Sequence, residues 1–188
     1  GAEDDRDAGR ADLLALDING QDVVVGIAAS GRTPYVVAAL EAAAARGAAT
    51  VGISCNLPAP VLDAAQIRIA ALVGPEVITG STRLKAGTAQ KLILNMLTTA
   101  SMILLGKVYD NLMVDVKVTN RKLADRARRI VMEVTGVDMD EAARLLALTD
   151  NEVKTAIVVA LLDVTPDEAR TRLAAAQGRL RAVIEKHD

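Results

Sequence analysis

The chain contains no phenylalanine and no tryptophan, a single cysteine and a single histidine in 188 residues. Each scarcity excludes a class of function. Without aromatic platforms there is little on which the bases of a single strand stack. A formal charge of -2 leaves no basic footprint for duplex DNA or RNA. One thiol, Cys55, rules out an internal disulfide framework and fits a reducing compartment. Cys55 and His187 together supply neither a Cys/His zinc site nor a Cys–His nucleophilic pair, so no metal and no cofactor is expected. No apolar run reaches membrane-spanning length. The opening Glu3-Asp4-Asp5-Arg6-Asp7 is unlike a signal peptide. A soluble, cytoplasmic protein without nucleic-acid or membrane partners is the expectation.

What is abundant is small and aliphatic. Apolar residues make up 51% of the chain, so Ala, Val, Leu and Ile must fill the core. Residues 4–16 read as a helix with acids in its first turn. Asp22–Ala28, Ala49–Cys55 and Ile67–Val73 are β-branched apolar runs of the kind that suits strands buried on both faces. Between the first two lies a helix from Thr33 to Arg46, with Pro34 in its first turn and Gly47 at its end. Strand, helix, strand at this spacing predicts an α/β fold with a parallel sheet and right-handed crossovers. Long helices are predicted over Ser81–Leu105 and from Val116 to about Thr135. Three capping boxes follow: Asp138 with Glu141, Thr149 with Glu152, and Thr165 with Glu168, with Pro166 after the last cap. Two domains are drawn, 1–135 and a helical 136–188 that continues into a longer terminal helix. A sheet of three strands has two edges to cover, so the pattern reads as part of a larger sheet and as a homo-oligomer.

Two segments carry the chemistry. Gly26-Ile27-Ala28-Ala29-Ser30-Gly31-Arg32-Thr33-Pro34 turns from a strand tip into a helix mouth, where doubly wound sheets bind ligands. Ser30 and Thr33 offer hydroxyls, Gly31 permits close backbone approach, and Arg32 adds charge. An ordinary N-capped turn accounts for the same residues equally well. The second segment, Gly74-Pro75-Glu76-Val77-Ile78-Thr79-Gly80-Ser81-Thr82-Arg83-Leu84-Lys85-Ala86-Gly87-Thr88-Ala89-Gln90-Lys91, sets a carboxylate, hydroxyls, glycines and cations at the mouth of a helix. Helix N-termini attract anions, and so many polar groups beside an apolar helix favour function over solvated surface. Asp110, Asn111, Asp115 and Asn120 fall in a polar connection between helices. Tyr35 and Tyr109, the only aromatic residues, read as packing groups with hydrogen-bonded hydroxyls.

These segments, with Gly52-Ile53-Ser54-Cys55-Asn56 and Asn111-Leu112-Met113-Val114-Asp115-Val116, resemble the N-acetylmuramic acid 6-phosphate etherase family, which is related to the glucokinase regulatory protein. The resemblance runs over essentially the whole chain. It implies a sugar isomerase (SIS) fold, a Rossmann-like sandwich that is partial here, followed by a small helical bundle similar to ubiquitin-associated modules. It also implies a lyase that cleaves the D-lactyl ether of N-acetylmuramic acid 6-phosphate, releasing D-lactate and N-acetylglucosamine 6-phosphate, and a homodimer. Gly1-Ala2-Glu3-Asp4 matches the context of one family glutamate, so the resemblance makes Glu3 a catalytic carboxylate. A second glutamate belongs to an upstream segment that this sequence lacks. Ser30, Gly31, Thr33, Ser54, Glu76, Ser81, Thr82 and Lys85 are the expected contacts to a phosphosugar. A non-catalytic sugar-phosphate sensor is the alternative, and an aldose–ketose isomerase a third.

Overall fold

A computed structural model describes residues 1–185; His187 lies outside the described residues. The chain divides into two compact units, Gly1–Met96 and a second from Leu97 onward.

The first unit is built on three parallel strands, β1 (Val23–Ala28), β2 (Ala49–Ser54) and β3 (Ile67–Ala70), in the order β1-β2-β3. β1 and β2 pair in register from Val23↔Ala49 to Ala28↔Ser54. Helices α2 (Pro34–Ala45) and α3 (Pro60–Asp63) pack on one face of the sheet. On that face Gly26 lies opposite Gly52. A Cβ on Gly26 would sit 2.6 Å from Leu40 Cδ1, and one on Gly52 2.5 Å from the Val61 carbonyl oxygen. The two glycines therefore let both helices settle against the strands. Leu40 and Val61 are fully buried in this layer, each burial contributing about 1.5–3 kcal/mol. On the opposite face the central strand is covered as expected, with Val51 and Ile53 buried, but the two flanking strands are not. There Val25 and Ile67 flank Val51 in one row, and Val23, Val25 and Ile67 are exposed. Strand β3 also stops at Ala70, short of Val73.

A 3-10 turn (Ala2–Asp4) leads into α1 (Arg6–Leu14), which Asp5 caps through the Ala8 N–H. Helix α1 lies against α2 so closely that a Cβ on Gly9 would stand 2.9 Å from Tyr35 Cα and closer still to the Tyr35 carbonyl oxygen. Tyr35 Oη donates to Asp12 Oδ2 at 2.8 Å, and Arg6 pairs with Glu41 at 2.6 Å. These contacts fix where the residues before α1 lie.

Helix α4 (Lys85–Leu104) starts later than the sequence suggests, because Ser81 to Leu84 form a turn rather than its first helical residues. The reason is a long-range cap. The Glu76 carboxylate accepts from Lys85 N at 2.9 Å and Ala86 N at 3.0 Å, answering two of the N–H groups a helix start leaves free.

In the second unit, a short hairpin of β4 (Val108–Tyr109) and β5 (Leu112–Met113) turns through Asp110, whose φ is 50°. Helix α5 (Arg121–Thr135) begins at the Asn120 cap rather than at Val116, and ends at Gly136 in the left-handed region. It packs with α6 (Met139–Leu148) and α7 (Val153–Leu162) through Ala127, Ile130 and Val131. The helical cluster thus extends upstream of residue 136. Asp138 and Thr165 cap α6 and α8 (Pro166–Ala175) as the sequence indicates. Thr149 does not start α7. It closes α6, its hydroxyl donating back to Leu145 O at 2.9 Å, and Glu152 takes the N-cap position. The terminal helix is broken by Gln177 and Gly178, both at positive φ, leaving α9 as Leu180–Ile184. The guanidinium of Arg181 stands over the Tyr109 ring, 5.1 Å from its centroid. Among the described residues no helix is long and apolar enough to cross a membrane.

Candidate functional site

The polar residues of the first unit converge at the carboxyl ends of the strands. A cleft of about 930 Å³ is lined by Glu3, Ser30, Thr33, Tyr35, Thr82, Arg83 and Gln90, over a floor of Ile27–Ala29. Four of the expected site residues, Glu3, Ser30, Thr33 and Thr82, meet there. A second cleft of about 540 Å³ shares Ala29, Ser30 and Thr82, and adds Cys55, Asn56 and the Leu72–Glu76 stretch.

Three segments bring these side chains together. Strand β1 delivers Ser30 on the turn that follows it, where Gly31 N donates to Ala28 O at 2.9 Å. The Ser30 hydroxyl accepts from Arg32 N at 3.3 Å, which leaves its proton free to donate into the cleft. Thr33 stands at the N-cap of α2 without spending its hydroxyl on the cap. The loop before α4 contributes Thr82 and Arg83. The 3-10 turn before α1 contributes Glu3, exposed at the cleft wall.

The other expected contacts are used differently. Gly31, at φ 72°, is pressed into the sheet side of the turn, where a Cβ would lie 2.6 Å from Ser54 Oγ and 2.9 Å from Ala59 Cα. Ser54 is fully buried, and its hydroxyl donates to Asn56 O at 2.8 Å and accepts from Asn56 N at 3.1 Å. It supports the turn and lines neither cleft. Ser81 accepts from Arg83 Nε at 3.4 Å and lines neither cleft. Lys85 lines neither cleft as well; its ammonium lies beside Gly74, and its charge acts on Glu76. Glu76 lines the smaller cleft, but its carboxylate is spent on the α4 cap. The hydrogen bonds from Ala86 and Lys85 N–H hold the Glu76 carboxyl below its ordinary value. An anion at the mouth of α4 would meet that carboxylate first. Cys55 is buried, its Sγ 3.8 Å from Ala86 O, and burial followed by the charge of Glu76 pushes the thiol up. It is a small buried packing group.

Arg83, Gln90 and Tyr35 belong to the larger cleft although none was singled out from sequence as a contact. Gly87 and Gln90 are three residues apart on α4 and both reach the cleft, so helical spacing within the Gly74–Lys91 segment was the available signal. Tyr35 is a strut: its hydrogen bond to Asp12 raises the phenol above its ordinary value, reinforced by burial and by the Asp12 charge. The four polar residues of the 106–120 connection serve the second unit. Asp110 makes the hairpin turn and pairs with Arg181; Asn111 completes the turn. Asp115 bonds Lys107 at 2.6 Å and faces Lys154 at 3.6 Å, and Asn120 caps α5.

A parallel sheet with hydroxyls and an open turn at its strand tips suits an anionic ligand. In comparison with known proteins, the model of the SIS domain matches residues 7–100. The chain belongs to the SIS domain family. It is 58% identical over 184 residues to an N-acetylmuramic acid 6-phosphate etherase of Brucella anthropi, covering 98% of this chain and 60% of the relative. To the N-acetylmuramic acid 6-phosphate etherase of Salmonella schwarzengrund it is 56% identical over 185 residues, covering 98% of this chain and 62% of the relative. The chain therefore spans about three fifths of the length of these relatives.

Proposed function

We propose that the chain serves the cleavage of the D-lactyl ether of N-acetylmuramic acid 6-phosphate to N-acetylglucosamine 6-phosphate and D-lactate in cell-wall amino-sugar recycling. The observation that carries this reading is the convergence of Glu3 with Ser30, Thr33 and Thr82 around one cleft. Its supports are the identity to named etherases along nearly the whole chain and the resemblance that makes Glu3 a catalytic carboxylate. In the ring-opened sugar the C1 aldehyde acidifies the C2 proton. Glu3 removes that proton, the C3–O bond breaks, and lactate leaves as its oxygen takes a proton from a general acid. Water then adds across the C2=C3 double bond, its hydroxyl to C3 and its proton to C2, so the sum is hydrolysis of the ether. Among the described residues Glu3 is the one carboxylate lining the cleft. A well-placed acid or base contributes about 10²–10⁴-fold each. Ser30, Thr33 and Thr82 hold the phosphosugar. The reading includes a cytoplasmic homodimer, supported by the open sheet edges and the exposed Val23, Val25 and Ile67.

The test is lactate release from N-acetylmuramic acid 6-phosphate, with the sugar product identified. Glu3→Gln is expected to abolish release while phosphosugar affinity stays. Full turnover in that variant removes Glu3 from the chemistry. Binding without lactate identifies a sensor instead, and a ketose product identifies an isomerase.

A further inference from the structure

We propose that Arg83 is a specificity-determining residue of this cleft, the group that binds an oxyanion of the sugar in two-point fashion; the inference rests on the phosphosugar reading above. Only Glu3 and Arg83 carry charge among the residues lining the cleft. Glu3 has no affinity for an anion, so any negative group of the ligand is answered by Arg83 or by neutral hydroxyls. Among the described residues Arg83 forms no ion pair. Its sole side-chain hydrogen bond runs from Nε to Ser81 Oγ at 3.4 Å, and both terminal nitrogens are uncommitted. That bond orients the guanidinium plane and leaves two parallel N–H donors for an oxyanion, the geometry in which arginine surpasses lysine.

The other cations of the same segment do not compete. Lys85 and Lys91 line neither cleft, and the charge of Lys85 already acts on Glu76. The α4 N-terminus is closed by the Glu76 carboxylate. Arg83 is the cation left over, on the loop that carries Thr82 into the cleft. N-acetylmuramic acid 6-phosphate offers two oxyanions with this chemistry, the 6-phosphate and the lactyl carboxylate.

Three probes separate these two sources: N-acetylglucosamine, N-acetylglucosamine 6-phosphate and N-acetylmuramic acid 6-phosphate, each titrated calorimetrically against the full chain and against Arg83→Met and Arg83→Lys. Removing a charge-assisted pair is expected to weaken the relevant probe about tenfold or more. A loss seen for both phosphorylated probes but not for N-acetylglucosamine assigns the phosphate. A loss confined to N-acetylmuramic acid 6-phosphate assigns the carboxylate. In either case Arg83→Lys restores only part of the affinity, because it keeps the charge and loses the fork. Arg83→Met with wild-type affinity for all three probes, in a protein whose thermal unfolding is unchanged, overturns the proposal and leaves the phosphosugar reading intact. A wild-type chain that binds none of the three overturns both.

Discussion

Replacing Gly9 with alanine sets two physical terms against each other. Gly9 lies inside α1, so the helix-propensity term favours alanine by about 1 kcal/mol. The packing term opposes it. The new Cβ would lie 2.9 Å from both the carbonyl carbon and Cα of Tyr35, and nearer to the carbonyl oxygen. All three atoms are backbone of α2 and cannot rotate away, so α1 must move outward. Overpacking of this kind costs about 1–3 kcal/mol, and a clash with rigid backbone belongs at the upper end. A net destabilisation of about 2 kcal/mol is expected for the first unit. The displacement also carries the 3-10 turn away from α2, and Glu3 with it. Urea unfolding followed by circular dichroism measures the first effect, with exposed Ala11→Gly as a control that reports the propensity term alone. Under the proposed function, lactate release measures the second, and is expected to fall further than the loss of folded protein accounts for. A Gly9→Ala chain that is more stable than wild type refutes the close α1–α2 contact and the account of how Glu3 is held.

Further expectations follow from the caps and turns. Glu76→Gln lowers stability at neutral pH by weakening the α4 cap. Because the folded-state Glu76 carboxyl lies below its ordinary value of 4.5, the stabilisation is present above that pH and is lost as pH falls through the folded value. Wild type and variant should therefore converge in acid, and a gap that never narrows as Glu76 becomes protonated contradicts the cap. Gly31→Ala meets both the left-handed φ and the wall formed by Ser54 and Ala59, and is expected to cost about 2 kcal/mol or more in urea unfolding. For Asp115, burial pushes the carboxyl up, but the hydrogen bond from Lys107 and the charges of Lys154 and Lys107 outweigh it and hold it low. Asp115→Asn should cost about 1 kcal/mol or less after solvent screening, and added salt should narrow the difference.

The backbone frame was legible because its signals are local. Strand β1 (Val23–Ala28), strand β2 (Ala49–Ser54) and helix α2 (Pro34–Ala45) fall within a residue or so of the runs marked by β-branched residues, Pro34 and Gly47. The caps at Asp138 and Thr165 are equally local. What escaped depends on distance along the chain. The cap of α4 comes from Glu76, nine residues before Lys85, so a hydroxyl beside the apolar run looked like the start. Ser54 reads as a ligand contact until the fold buries it beside Asn56. Which of Arg83 and Lys85 faces the cleft is decided by the turn through Ser81–Leu84, and residue type carries no trace of that. Glu3 drew attention through family resemblance, because its position depends on how α1 docks on α2.

The facing pair Gly26 and Gly52 has a bearing on how this cleft can be altered. Beneath the site, two adjacent strands lack room for even one methyl group, since Val36 and Leu40 close over one glycine and Val61 and Ala65 over the other. The strands therefore offer no room at these two positions for side chains that would change ligand preference. Engineering a new specificity has to work through the connecting segments around Ser30 and Arg83, while the platform under them is held constant.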